Sequence, residues 1–209
     1  MKADAIFTNK QIINQNITIV FDNLDIQSIK IDQLKSIGGK DVAITMLPDL
    51  LIMIIPATGL IIQLGDRRLR VTSQIPSSGI INIWSITKSI KDLLPVNISA
   101  YGFNFDLLLD LNENHPTMDY RFLFSNDLPA LEGIIESKID RFNPRFAFMH
   151  NGALIDLILD PINPISSKMH GNIHYENNNF PNEDELNQSF TNQLNYILDL
   201  SNKLFAQNQ

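Results

Sequence analysis

The sequence predicts an α+β protein with a mainly antiparallel sheet, helices on one face of it and a long C-terminal helix. Three observations support this fold class. Four short apolar segments separated by turn residues follow one another between residues 42 and 73, two later segments alternate apolar and polar residues, and the last thirty residues have helical periodicity. Runs of strands with few helices are typical of α+β folds. We expect a single domain, 1–209, because no low-complexity linker divides the chain.

Strands dominate the predicted N-terminal part. Residues 16–21 are a first strand, whereas residues 25–37 fit neither the helical nor the strand period. Four strands then follow as a meander and cover residues 42–47, 50–55, 60–64 and 68–73. Gly65-Asp66 is the turn before the fourth strand. The stretch 42–64 is apolar, but Pro48, Asp49 and Pro56 interrupt it, so we expect buried strands and no membrane contact.

Three helices are predicted. The first runs from the turn at Pro76-Ser77-Ser78-Gly79 to Leu94, with Ser78 as its N-cap and Pro95 as its end. The second begins near Asn126-Asp127 and places Leu128, Leu131, Ile135 and Ile139 at helical spacing. Asn182 and Glu185 form a capping-box pattern that opens the C-terminal helix. Its apolar stripe is Leu186, Phe190, Leu194, Ile197 and Leu204.

A near-repeat links two segments of the second half. Residues 102–110 (GFNFDLLLD) are echoed by residues 152–160 (GALIDLILD), and each copy follows a helical pattern and a proline. We therefore expect two similar strands and a possible duplicated helix–strand unit. Period-two alternation would turn Leu107 and Leu157 toward the core, and Asp106 and Asp156 toward a polar face. Further strands are expected at residues 145–149 and 169–175.

Composition restricts the possible functions. The chain has 16 basic and 23 acidic residues and a net charge of −7, which disfavours nucleic acid as a partner. It contains no cysteine, which excludes disulfides, thiolate metal sites and cysteine nucleophiles. No apolar run of signal-peptide length opens the sequence, so we expect a cytoplasmic protein whose partner is another protein or a second copy of itself.

Two small groups of residues are candidates for ligand contacts. Arg67, Arg68 and Arg70 are the densest positive charge and suit a phosphate or carboxylate, although a charged turn beside an exposed strand explains them as well. Trp84, Phe103 and Phe105 are candidates for an apolar pocket, although core packing explains them more simply.

No metal or other cofactor is expected. His170 and His174 have the spacing of a helical zinc pair, but the sequence around them predicts a strand, on which they lie too far apart to share an ion. His115 and His150 are isolated. An aspartate metal site would need Asp106 beside Asp156, or Asp110 beside Asp160, across the sheet.

Three functions remain open. The first is a non-catalytic interaction or scaffold module in a homo- or hetero-oligomer, with Tyr196, Leu198 and Leu200 of the C-terminal helix at the interface. The second is a binding protein for an apolar small ligand between the sheet and that helix, and the third is a metal-dependent hydrolase that uses the paired aspartates. Common catalytic motifs are missing from the sequence, so we favour the first and expect no catalytic residues.

Overall fold

The computed structural model describes residues 7–39, 41–112, 128–140 and 142–206. Within these residues nine strands form one antiparallel sheet, and four helices accompany it. The predicted α+β fold class, with a long C-terminal helix, is confirmed.

The bounds of the elements follow the chain order. The strands are β1 (Phe7–Phe21), β2 (Ala43–Met46), β3 (Leu50–Ile55), β4 (Leu60–Gly65), β5 (Arg68–Ser73), β6 (Ile98–Leu111), β7 (Arg145–His150), β8 (Ala153–Asn163) and β9 (Ser166–Tyr175). The helices are α1 (Ile31–Gly38), α2 (Trp84–Leu93), α3 (Leu128–Ile135) and α4 (Glu183–Ala206), and one 3-10 turn (Ile26–Ser28) precedes α1.

The spatial order of the strands is β2-β3-β4-β5-β1-β6-β9-β8-β7. The two longest strands, β1 and β6, lie side by side at the centre and pair along almost their whole length. Strand β9 pairs with both β6 and β8, so it separates the two strands of the near-repeat.

The two faces of the sheet differ in what lies on them. On the inner face, Phe103 and Phe105 of β6 are fully buried beneath Phe190 of α4, with ring centroids 5.2 and 4.8 Å away. Gly171 of β9 lets α4 come close, because a Cβ there would lie 3.3 Å from Ile197. Trp84 of α2 contacts Phe190 on the same side. The opposite side of the sheet carries the exposed and half-buried residues of the strand alternation, and we call it the open face.

The capping-box prediction for the C-terminal helix is confirmed. The Asn182 Oδ1 accepts from the Glu185 amide, and the Glu185 Oε2 accepts from the Asn182 amide, both at 3.0 Å. These bonds satisfy backbone N–H groups that a helix start leaves without partners. The predicted stripe is buried at Leu186, Phe190, Leu194 and Ile197, and Leu204 is half-buried.

The predicted start of the first helix is wrong. Helix α2 begins at Trp84, and residues before it run along β1. The backbones of Ser77 and Ile12 exchange two hydrogen bonds, of 2.8 and 2.9 Å, and the Gln15 side chain accepts from the Ile81 amide. This pairing occupies the backbone groups that a helix would need, and the Ser78 cap does not form.

Helix α3 is shorter than predicted. It ends at Ile135, where Glu136 adopts a left-handed conformation with φ of 52°, so Ile139 lies beyond it. The predicted start at Asn126-Asp127 lies outside the described residues.

The near-repeat gives two strands with the predicted alternation. Leu107 and Leu157 are buried, whereas Asp106 and Asp156 lie on the open face. The likeness ends there, because Gly102 lies within β6 while Gly152 forms the β7–β8 turn with φ of 76°. Strand β7 also intervenes between Pro144 and the second copy.

Adjacent leucines of β6 provide a test of the two faces. Leu107 is fully buried on the inner face and Leu108 is half-buried on the open face. We expect Leu107→Ala to lower the free energy of unfolding by about 2–5 kcal/mol, because it leaves a core cavity. Leu108→Ala should cost about 1 kcal/mol or less. Urea unfolding followed by circular dichroism measures both, and equal losses would contradict the assignment of the faces.

Candidate functional site

One row of residues crosses six strands on the open face. Cα pairing aligns them in the order Arg70, Thr18, Gly102, His174, Leu154 and Met149. We call them the cross-sheet row. With strands about 4.8 Å apart, the row is about 24 Å long. It brings together one residue from each of six strands, and its two ends differ in chemistry.

Unpaired positive charge marks the first end of the row. Arg70 and Arg68 lie two residues apart on β5, so both side chains project from the open face, and both are exposed. Within the described residues neither guanidinium has an ion-pair partner. An unpaired arginine has five N–H donors in a planar fork that suits carboxylate or phosphate oxygens.

A hollow of about 240 Å³ lies in the middle of the row. Gly102 forms part of its floor, and a Cβ at this position would lie 2.5 Å from the carbonyl oxygen of Ile173, so the backbones of β6 and β9 approach too closely for a side chain. We call it the Gly102 hollow. Its lining residues are Thr18, Val20, Arg68, Arg70, Tyr101, Gly102, Asn104, Asn172 and His174.

Apolar side chains mark the second end of the row. Met149 and Leu154 are directly opposite each other on β7 and β8, and they are 68% and 43% exposed. Strand β7 is at the edge of the sheet. Exposed apolar side chains next to each other at a sheet edge are typical of an interaction surface.

Asp106 ties β6 to its neighbours on the open face. Its carboxylate accepts from Asn14 at 3.1 Å and lies 2.7 Å from the His170 Nδ1 and 3.5 Å from the Lys168 Nζ. Burial alone would raise the pKa of Asp106, but the hydrogen bonds from His170 and Asn14 and the charges of His170 and Lys168 outweigh it. The pKa of Asp106 is therefore lowered.

The other three aspartates of these strands are also engaged. Arg145 forms two hydrogen bonds with Asp156, and these bonds lower the pKa of Asp156. Asp110 accepts from Ser166 at 2.6 Å, and Asp160 accepts from Asn143 at 2.8 Å. The acidic groups of β6 and β8 thus have described partners, in contrast to Arg68 and Arg70.

The predicted anion-binding cluster is divided by the structure. Arg68 and Arg70 line the Gly102 hollow, whereas Arg67 lies in the β4–β5 turn with φ of 57° and lines a different hollow beside Asp25. Only two of the three arginines, Arg68 and Arg70, therefore line the Gly102 hollow. Anion binding itself stays a prediction.

The other predicted contact residues lie on the inner side. Phe103 and Phe105 fill the space under Phe190, and Trp84 is half-buried beside the same ring. Along α4, the residues expected at an interface are half-buried against the core; these residues are Tyr196, Leu198 and Leu200. The ring of Tyr196 stacks on the ring of His150, with the two centroids 3.8 Å apart. Their roles in ligand binding and in an interface stay predictions.

The aspartate pairs of the metal-site alternative do not meet. Strand β9 lies between Asp106 and Asp156, and likewise between Asp110 and Asp160. In the described part of the chain, no three metal-binding side chains converge. His170 and His174 are four residues apart on β9, about 13 Å along the strand. His115 lies outside the described residues.

Sequence reasoning missed the contribution of β7, β8 and β9 to this surface. Period-two alternation could have placed Met149, Leu154, Asn172 and His174 on outward positions. It could not have placed them in line with Arg70, because the pairing of β6 with β9 joins strands that are distant in the sequence.

No family model matches this chain, and no curated protein matches it either. Among the helices of the described residues, none has the length and apolar character needed to cross a membrane.

The lowered pKa of Asp106 predicts a pH-dependent contribution to stability. The group binds its proton more weakly in the folded than in the unfolded chain, so its contribution is present above the unfolded pKa of about 3.9 and is lost as the pH falls through the folded value. We expect Asp106→Asn to cost about 1–3 kcal/mol at pH 7 and less at pH 3, because at pH 3 the unfolded chain already binds the proton. Urea unfolding at both pH values measures this difference.

Asp199→Asn is the control for this experiment. Asp199 is exposed and paired with Lys203 on the surface of α4, so its replacement should cost less than about 0.5 kcal/mol at pH 7. A loss for Asp106→Asn that is the same at pH 3 as at pH 7 would contradict the assigned role of the carboxylate.

Proposed function

We propose that this protein is a non-catalytic interaction module that holds a protein partner along the cross-sheet row of its open face. The observation that carries the proposal is the combination, in one row, of unpaired arginine at one end and exposed methionine and leucine at the other. Arginine and methionine are enriched in protein–protein interfaces.

The charge of the face supports an acidic contact at the arginine end. The chain as a whole carries −7, yet the aspartates of β6 and β8 are engaged by neighbours and Arg68 and Arg70 have no ion-pair partner within the described residues. The row thus attracts an anionic group although the whole protein is acidic. Such complementarity gives specificity and faster association more than affinity.

The apolar end supplies the contact area that charge alone does not. Burial of Met149 and Leu154 would remove apolar surface from water, which is the main favourable term in association. The partner segment therefore carries an acidic group and, about 24 Å away, an apolar side chain. This partner is a second copy of the chain or another protein, and we place the encounter in the cytoplasm.

Site-specific photocrosslinking tests the proposal and captures the partner in the same step. A benzoylphenylalanine in place of Met149, expressed in the cells that make this protein, should give a discrete crosslinked product on irradiation. The mass of the product shows whether the partner is a second copy. Adding Arg70→Glu should reduce the yield about tenfold or more, because a like charge then faces the acidic group.

The matched control places the same photoreactive residue at Lys203. This position is 68% exposed, as Met149 is, but it lies on α4. The proposed function would be contradicted by equal crosslinked yields at the two positions or by no product at position 149. A yield at position 149 that Arg70→Glu leaves unchanged would contradict it as well.

A further inference from the structure

The Gly102 hollow has the features of an oxyanion site. Its β5 wall carries the guanidinium groups of Arg68 and Arg70, and its opposite wall, on β9, carries the Asn172 amide and the His174 imidazole. Arg70 and His174 are three strands apart in the row, about 14 Å between Cα atoms, so long side chains from both walls can reach one small group between them.

The donors of these walls are not used elsewhere in the described structure. Arg68, Arg70, Asn172 and His174 have no side-chain hydrogen bond or ion pair to any described residue. Asn104 and Thr18, by contrast, both donate to the Asn16 Oδ1, at 2.9 and 3.2 Å. These two hydrogen bonds fix Asn104 and Thr18, whereas the donors on β5 and β9 have no described partner.

The absence of carboxylates from its lining distinguishes this hollow from its neighbour. Arg68 and Arg70 also border a second hollow, but Asp49 and Asp66 line that one and would repel an anion. The Gly102 hollow has no acidic residue among its described lining residues. Asp156, the nearest aspartate in the register, is opposite Asn172 and is engaged by Arg145.

We propose that the Gly102 hollow binds a phosphate group. Donors on two walls favour a tetrahedral dianion, whose oxygens point in several directions, over a planar carboxylate with two oxygens. The inference rests on the proposed function and gives the chemistry of the acidic group at the arginine end of the row. A phosphorylated side chain of the partner and free inorganic phosphate present the same group.

Titration of the isolated protein with inorganic phosphate tests the site. Chemical shifts of the Gly102, Asn172 and His174 amides in ¹H–¹⁵N spectra should move together and saturate. At equal ionic strength, acetate should bind about tenfold more weakly or worse, and Arg70→Gln should weaken phosphate binding at least about tenfold. If phosphoserine binds more tightly than inorganic phosphate, a side chain is the source, whereas equal affinities indicate free phosphate.

Arg67→Gln is the matched control, since it removes the same charge only three residues before Arg70 in the chain but outside this hollow. Its affinity for phosphate should stay within about twofold of the parent. The proposal would be overturned if phosphate did not bind, or if it shifted amide signals outside the Gly102 hollow. It would also be overturned if acetate bound as tightly as phosphate, or if Arg67→Gln and Arg70→Gln lost the same phosphate affinity. Phosphate binding is measured without the partner, so its failure is distinguishable from a failure of the crosslinking experiment.

Discussion

Helix α4 packs onto the centre of the sheet through Phe190, whose ring contacts Phe103 and Phe105 of β6. Aromatic rings bury large areas, so this contact determines which face of the central strand lies inside. Side chains of a strand alternate strictly between the two faces. Once Phe103 and Phe105 are inside, Gly102 and Asn104 must lie on the open face. Because paired residues of neighbouring strands share a face, this also determines which residues of the neighbouring strands lie on the open face.

The order of the strands explains why some charged groups of the open face have partners and others do not. Strand β9 lies between the two acidic strands and brings Lys168, His170 and Ser166 beside the aspartates of β6. At the other side of β1, β5 carries Arg68 and Arg70 and has no acidic strand as a neighbour. Arg68 and Arg70 therefore have no described acidic partner, whereas the aspartates of β6 and β8 are already engaged, and the proposed preference for anions rests on this difference.

Local patterns in the sequence predicted much of this fold. The meander from β2 to β5, the alternation of β6 and β8 and the cap of α4 all depend on residues close together in the chain. The N-terminal half of β1 was missed, because residues 7–15 (FTNKQIINQ) are largely polar and lack alternation; pairing with β6 holds them extended. The start of α2 was wrong for a similar reason, since Ser77 pairs with Ile12.

The cross-sheet row could not be predicted, because it depends on strand order. Alternation indicates which residues share a face, but only the pairings of β9 with β6 and β8 place His174 between Gly102 and Leu154. The arginine cluster was visible as three charges in four residues, yet the left-handed turn at Arg67 separates that side chain from the other two. The candidate site therefore arises from long-range contacts, whereas the elements that carry it arise from local ones.

Cysteine scanning shows whether the cross-sheet row is accessible in the isolated protein and covered in the complex, because the chain has no cysteine of its own. Single cysteines would replace Thr18, His174 and Leu154 in turn, with Ala153→Cys as an inner-face control, because Ala153 is fully buried and the change in volume is small. We expect a maleimide reagent to modify the three row positions quickly in the isolated folded protein, to modify them slowly when the partner is bound, and to leave position 153 unmodified in both states. Row positions that are unreactive in the isolated protein, or that react equally fast with and without the partner, would contradict it.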